Sequence, residues 1–140
     1  MRVVLDTNVL VAGMRSPSGA SAKLILAALS GRIALVANAA LFAEYEAVMT
    51  RREHLAAAHV SQADIVAVLD DLARVIHPAD RDFSWRPQLS DPDDEMVLEA
   101  AINGQAEAIA TFEIGTFTGA GARFGIRIMT PSGLWSMLKL

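Results

Sequence analysis

Short apolar segments alternate with longer amphipathic segments along the chain. Five short apolar segments predict strands, at residues 3–5, 33–36, 75–76, 108–111 and 126–129. The first lacks the polar alternation of a half-exposed strand, so we expect it to be buried on both faces of a sheet. Strands that alternate with helices imply parallel pairing, because each parallel connection needs a crossover. We predict an α/β fold, a three-layer α/β/α sandwich around a central, mostly parallel sheet of five strands.

Polar side chains mark the beginnings of the predicted helices. Asn38 precedes an apolar stripe at helical spacing, and residues 61–64 resemble a capping box. Asp91 and Thr130 are each followed by proline, which the first position of a helix tolerates. Ser21 is expected to cap the second helix.

Composition limits the classes of function. The chain has 140 residues, 53% of them hydrophobic, yet no apolar run approaches the roughly 20 residues of a membrane span. There is no secretory signal pattern and no cysteine, so we expect a single domain over residues 1–140, in the cytoplasm and away from membranes. The net charge of −4 argues against a broad basic surface for nucleic acid. Any nucleic-acid chemistry should therefore be local or assisted by metal cations.

Acidic residues fall where strands and helices should meet. Asp6 follows the first predicted strand and Glu113 follows the fourth, so both should lie at the carboxyl edge of the sheet, where ligand crevices form. Asp94 heads the core-facing stripe of the helix after Asp91. Glu44 borders the stripe of the helix after Asn38.

Two assignments among these acids are ambiguous. Glu46 lies on the other border of the same stripe as Glu44, and periodicity does not choose between them. Asp94 is preferred to Glu95 because the helical projection turns Glu95 further towards solvent. Asp93 and Glu95 are also well placed to complement the positive end of the helix dipole.

Several carboxylates in one crevice repel one another unless a cation binds among them. Oxygen ligands with room for water suit Mg²⁺ or Mn²⁺, which can position and activate water beside a phosphodiester. The expected ligands are Asp6, Glu44, Asp94 and Glu113. Expected supporting residues are Thr7, Asn8, Glu95 and Thr111, although Asp6, Thr7 and Asn8 could equally cap the first helix.

Three further residues are candidates for contact with substrate. Arg15 is expected in a loop just beyond the first acid, where it could bind substrate. Trp85 and Trp135 could stack on bases, although packing is the simpler expectation for both.

These motifs carry a resemblance to a known family. Residues 4–10, VLDTNVL, resemble the opening motif of PIN-domain ribonucleases, and Glu44 within LFAEYEAV resembles their second acidic position. Residues 90–101, SDPDDEMVLEAA, are similar to the third acidic segment of a subgroup of VapC-like toxin components. The resemblance implies a metal-dependent endoribonuclease of single-stranded RNA. It also implies an antitoxin protein as partner and, often, a homodimer.

The chain departs from the subgroup after the fourth strand. There the subgroup commonly has Thr-Gly-Asp-x-Asp, whereas this chain has Thr111, Phe112, Glu113, Ile114 and Gly115. Glu113 can replace the first acid, but Gly115 cannot replace the second. One alternative is therefore a weakened or inactive PIN-like module that binds RNA or a protein.

A second alternative is a receiver-like phosphoacceptor domain, which also gathers acids at strand ends. That class would require paired acids early in the chain and a lysine beyond the last strand. Here the last strand leads to residues 130–132, and Lys139 stands only at the end of the sequence.

Overall fold

The structure is a computed structural model that describes residues 1–79 and 86–140. Its strands are β1 (Arg2–Leu5), β2 (Ala34–Ala37), β3 (His77–Pro78), β4 (Ala108–Ala110) and β5 (Arg127–Met129). Its helices are α1 (Thr7–Arg15), α2 (Ala20–Leu29), α3 (Ala39–Met49), α4 (Arg52–Ala58), α5 (Gln62–Val75), α6 (Pro92–Asn103), α7 (Ile114–Phe124) and α8 (Pro131–Leu138).

The strands form one parallel sheet in the order β3-β2-β1-β4-β5. The chain first winds from β1 towards β3 and then returns to add β4 and β5 on the other side of β1. Helix α6 packs against β1, β2 and β4, with α7 beside it. Right-handed crossovers put the earlier helices on the opposite face. The predicted α/β class with a five-stranded sheet is confirmed, and every strand pair is parallel.

The reversal of winding between β1 and β4 determines where a site can form. Connections that leave neighbouring strands in opposite directions open a crevice at the carboxyl ends of those strands. The backbone N–H of Asp6 donates to the carbonyl of Ala110 at 2.9 Å, so the two strand ends are held side by side at this point.

Side-chain caps confirm four of the predicted helix starts. Asn38 accepts from Leu41 N at 2.8 Å, and Ser61 and Asp64 form a reciprocal capping box. The side chains of Asp91 and Thr130 cap α6 and α8 ahead of their prolines. Each cap is formed by residues within three positions of one another, so the sequence alone is sufficient to predict it.

Two predicted boundaries are wrong. The third strand was expected at residues 75–76, but Val75 ends α5 and the strand is His77–Pro78. Val75 and Ile76 are β-branched, which favours a strand. The capping box and the buried stripe of Ile65, Leu69 and Leu72 instead extend α5 through Val75. Ser21 lies inside α2, whose N-cap is Gly19.

Two helices, α4 and α7, were not predicted at all. Helix α7 contains Gly115, Gly119 and Gly121, and glycine is a poor helix former. It forms because Phe117 and Ala120 are buried against the rest of the protein, so packing overrides propensity.

The core is continuous between the sheet and its helices. Its largest fully buried side chains include Tyr45, Phe117 and Leu98. Among residues 1–79 and 86–140, no helix combines the length and apolarity that crossing a bilayer would need.

Two glycines of α7 offer a matched test of its packing. A Cβ at Gly121 would lie 2.7 Å from the carbonyl oxygen of Ile126, so Gly121→Ala should destabilise the protein by about 1–3 kcal/mol. A Cβ at Gly119 meets only the tip of Arg123 at 3.9 Å, so Gly119→Ala should stabilise it by about 0.5–1 kcal/mol. Urea unfolding measures both, and equal effects would contradict the packing of α7.

Candidate active site at the carboxyl edge of the sheet

Asp6 is a buried carboxylate at the centre of this edge. Its side chain is 8% exposed; one oxygen accepts from Thr7 N at 2.8 Å and the other accepts from the Thr111 hydroxyl at 2.8 Å. Burial raises the pKa of Asp6 above its ordinary value, and these two hydrogen bonds oppose that rise. Asp6 therefore caps α1 and also directs a carboxylate towards the crevice.

Thr111 connects Asp6 to the segment that carries Glu113. It is fully buried at the end of β4, and its hydroxyl accepts from the backbone N–H of Glu113 at 2.9 Å while donating to Asp6. The predicted contact of Thr111 with a site acid is therefore present. Glu113 is close enough for its charge to raise the pKa of Asp6 further.

Helix α3 brings Glu44 to the same edge. Its neighbour Tyr45 is fully buried and donates its hydroxyl to the carbonyl of Leu5, immediately before Asp6. Glu44 is half-buried and its charge raises the pKa of Asp6, whereas Glu46 is exposed. The structure thus separates the two glutamates that periodicity left equivalent, and Glu44 is the one near Asp6.

Tyr45 lies in the apolar stripe of α3, and its spacing in that stripe predicts packing but no contact with the site. The hydroxyl in an otherwise apolar stripe was the available signal, because a buried hydroxyl usually has a hydrogen-bond partner. Burial and the nearby charge of Asp6 raise the pKa of Tyr45, so this hydroxyl stays protonated and continues to donate.

Asp94 reaches the site from the first turn of α6. Burial, and after it the charges of Asp91, Glu113, Asp6 and Asp93, together raise its pKa to about 6. The side chain is half-buried and lines an open cavity of about 590 Å³. Pro87, Gln88, Leu89, Ser90, Asp91, Gly115 and Thr116 complete the lining.

Glu95 corrects the helical projection. It was expected further towards solvent than Asp94, but it is only 3% exposed, and one of its oxygens accepts from the backbone N–H groups of Gln88 and Leu89, both at 2.6 Å. The segment before α6 folds back over the first turn of that helix and covers Glu95. A projection of the helix alone cannot show this, because the covering residues lie outside the helix.

Arg15 is not brought to the acids. It is the last residue of α1, not a loop residue, and about 13 Å of helix separates it from the Asp6 end of α1. Its guanidinium lies 2.7 Å from Nδ1 of His54, which belongs to α4. Its expected contact with substrate therefore has no support from its position.

The other predicted residues have mixed outcomes. Thr7 is buried beside Asp6, and Asn8 is half-buried, with its side-chain oxygen enclosed and unpaired within the described part of the chain. Trp135 is partly buried against the core with Lys23 Nζ 5.9 Å from its ring centroid, which agrees with packing. Trp85 lies outside the described residues.

The acidic side chains are close enough for their charges to interact, but they do not form a preformed set of metal ligands. Among the described residues, no three acidic or histidine side chains stand close enough to hold a metal ion as placed. The donor set nevertheless fits a hard cation, because oxygen ligands predominate and the mutual repulsion at Asp6 and Asp94 is what a divalent ion relieves. Asp6, Glu44, Asp94 and Glu113 are the residues that could hold it.

Comparison with known proteins identifies the family. A family model described as PIN domain matches residues 2–114. The chain belongs to the PIN domain family. The match includes all four acids, and the strand order differs from the 2-1-3-4-5 order of receiver domains, so the receiver-like alternative is wrong.

Several solved structures are similar to this chain in fold. VapBC2 from Rickettsia felis, bound to a DNA fragment from its promoter, matches with a TM-score of 0.59 and 14% identity over 93% of this chain and 98% of that chain. FitAB bound to an IR36 DNA fragment matches at 0.58, with 18% identity over 95% of each chain. FitAcB from Neisseria gonorrhoeae matches at 0.57, with 18% identity over 93% of this chain and 98% of that one. No curated protein sequence matches the chain.

The raised pKa of Asp94 predicts a pH dependence of stability. The folded pKa of about 6 exceeds the ordinary 3.8, so the folded state binds more protons in between. The contribution is favourable below about pH 4 and is lost as the pH rises through about 6. Because Asp94 is only partly buried, the loss should not exceed about 1 kcal/mol.

Unfolding by urea across this pH range tests the prediction. Asp94→Asn should flatten the decline in the free energy of unfolding, whereas Asp70→Asn, on the exposed side of α5, should leave it unchanged. Millimolar Mg²⁺ should offset the decline in the native protein at neutral pH. An unchanged slope in Asp94→Asn would contradict the placement of Asp94 among the other acids.

Proposed function

We propose that this PIN-domain protein is a metal-dependent endoribonuclease that cleaves single-stranded RNA. The observation that carries the proposal is the pair of hydrogen bonds that links Asp6 through Thr111 to Glu113. Asp94 and Glu44 are close enough for their charges to interact with Asp6. These residues lie at the crevice where the winding of the sheet reverses. This concentration of negative charge would repel RNA, so a bound cation is what makes a polyanionic substrate acceptable.

Asp6, Glu44, Asp94 and Glu113 would hold Mg²⁺ or Mn²⁺. When bound, such an ion supplies an activated water and neutralises charge on the phosphodiester. The chain's own residues orient the ligands. Thr111 and Thr7 fix the two oxygens of Asp6, and Tyr45 holds the backbone immediately before it.

We also propose that the protein is the toxin component of a toxin-antitoxin pair that acts in the cytoplasm. The VapC-like motifs and the solved VapBC and FitAB complexes of similar fold support this proposal. Its partners would be a small antitoxin protein and, as in many relatives, a second copy of the chain. Co-purification with the product of a neighbouring small gene is the corresponding test.

A second candidate is a PIN-like module with weakened or absent catalysis. Gly115 favours it, because the subgroup commonly has an acid at that position. Calorimetry with Mn²⁺ separates the candidates, since absence of binding at millimolar metal would favour the inactive module.

Substitution of the central acid tests the nuclease directly. Asp6→Asn should reduce Mn²⁺-dependent cleavage of single-stranded RNA by about 100-fold or more, because a neutral amide is a poor ligand for a hard cation. The fold should persist, since an amide oxygen can still accept from Thr7 N. Initial rates of cleavage and circular dichroism measure the two effects.

The controls use the two neighbouring glutamates of α3. Glu44→Gln should also lower the rate, whereas Glu46→Gln, on the exposed side, should not. A chelator should abolish cleavage by the native protein and added Mn²⁺ should restore it. Cleavage undiminished in Asp6→Asn would refute the assignment.

Gly115 allows the missing acid to be restored. A Cβ there would meet no atom within 4 Å, and the residue lines the same cavity as Asp94. Gly115→Asp should therefore be accommodated, and the added charge should strengthen Mn²⁺ binding by about tenfold, or about 1.4 kcal/mol. Calorimetry measures the affinity, with Gly115→Asn as the control of equal size. Equal affinities in the two variants would show that position 115 does not face the ion.

A further inference from the structure

Phe112 is an exposed aromatic residue inside the segment that carries the site acids. It lies between Thr111, which bonds to Asp6, and Glu113, and it exposes 53% of its surface. By contrast, Phe117 in the following helix is fully buried. A large ring left half in water gives up much of the stabilisation that burial would supply. An exposed ring one residue from Thr111, which binds Asp6, is therefore a candidate for contact with substrate.

The surroundings of Phe112 are unlike those of a protein interface. Its exposed neighbours along the chain are Glu113, Gly115 and Thr116, which are charged, small or polar. Within the described residues, the other exposed large apolar side chains are on other elements, at Leu26, Val66 and Leu140. Protein interfaces require a contiguous apolar centre, which a single ring does not provide. One ring is sufficient to stack against one base.

The electrostatics of the site also favour stacking. Most affinity for RNA ordinarily comes from contacts between basic residues and phosphates, but this chain has a net charge of −4 and an acidic site. Stacking of a base on an aromatic ring adds affinity without any protein charge, and it suits unpaired bases of any sequence. Stacking therefore supplies affinity for RNA that the acidic side chains do not.

We propose that Phe112 is a stacking platform that holds one base of single-stranded RNA beside the phosphodiester to be cleaved. This inference rests on the proposed ribonuclease function and specifies a substrate contact for it. The ring is one residue from Thr111, whose hydroxyl lies 2.8 Å from Asp6, so a stacked base would belong to a nucleotide flanking the acids. The subgroup pattern has glycine at this position, and the platform is therefore particular to this chain.

The test compares variants of Phe112 on a labelled single-stranded oligoadenosine with Mn²⁺ present. Phe112→Ala should weaken RNA binding, measured by fluorescence anisotropy, by about 5- to 100-fold, and kcat/KM for cleavage should fall in parallel. Phe112→Trp should bind at least as tightly as the native protein, whereas Phe112→Leu should resemble the alanine variant. Leu26→Ala removes a comparably exposed apolar side chain on α2 (61% exposed) and should have no effect.

An RNA series with single abasic positions identifies the stacked base. The native protein should lose affinity at one position adjacent to the cleaved bond, and Phe112→Ala should be insensitive to the same change. This coupling would not arise if Phe112 only maintained the fold. Calorimetric Mn²⁺ affinity and the unfolding midpoint should be unchanged in Phe112→Ala.

The possible failures are distinguishable. If the native protein does not cleave RNA, the ribonuclease proposal fails, and anisotropy still reports whether Phe112 contacts RNA. If the native protein cleaves RNA and Phe112→Ala does so equally well, only the stacking proposal is overturned. If Phe112→Ala instead changes the sedimentation of the protein or its binding to a protein partner, with RNA affinity intact, Phe112 is a protein contact and the proposal is likewise overturned.

Discussion

The constraint on which the site depends is the burial of the Asp6 carboxylate at the point where the sheet reverses its winding. A buried charge is costly unless hydrogen bonds or a counter-ion compensate for it. Thr7 and Thr111 donate to its two oxygens, and the pKa of Asp6 remains raised despite both bonds. The compensation within the protein is thus incomplete. The proposed cation would complete it.

The same hydrogen bonds that stabilise Asp6 also organise its neighbours. The Thr111 hydroxyl donates to Asp6, and its oxygen accepts from the backbone N–H of Glu113. The end of β4 and the start of α7 are therefore both positioned relative to the Asp6 carboxylate. Tyr45 positions the backbone before Asp6 from α3, because its hydroxyl donates to the carbonyl of Leu5. Two of the elements that hold Asp6 in place, the end of β4 and helix α3, therefore also carry Glu113 and Glu44 to this edge.

The loop before α6 lines the cavity beside Asp94. Glu95 binds two of its backbone N–H groups, Arg86 pairs with Glu99, and Arg123 of α7 reaches Gln88 at 3.2 Å. These contacts hold the loop over α6 and form the cavity next to Asp94. Gly115 lines the same cavity, and a Cβ there would meet no atom within 4 Å. Positions 112 and 115 thus depart from the subgroup pattern in two separate ways, by adding an aromatic ring and by removing an acid.

The sequence by itself determined the features that depend on local chemistry. Strand and helix alternation, the caps at Asn38, Ser61, Asp91 and Thr130, and the position of Asp6 at a strand end all follow from neighbouring residues. The motifs also pointed to the family, which the match over residues 2–114 bears out. Only the tertiary structure decided between Glu44 and Glu46, covered Glu95, placed Arg15 at the far end of α1 and allowed a glycine-rich segment to form α7. Each of these depends on atoms supplied by distant parts of the chain, and no local pattern contains that information.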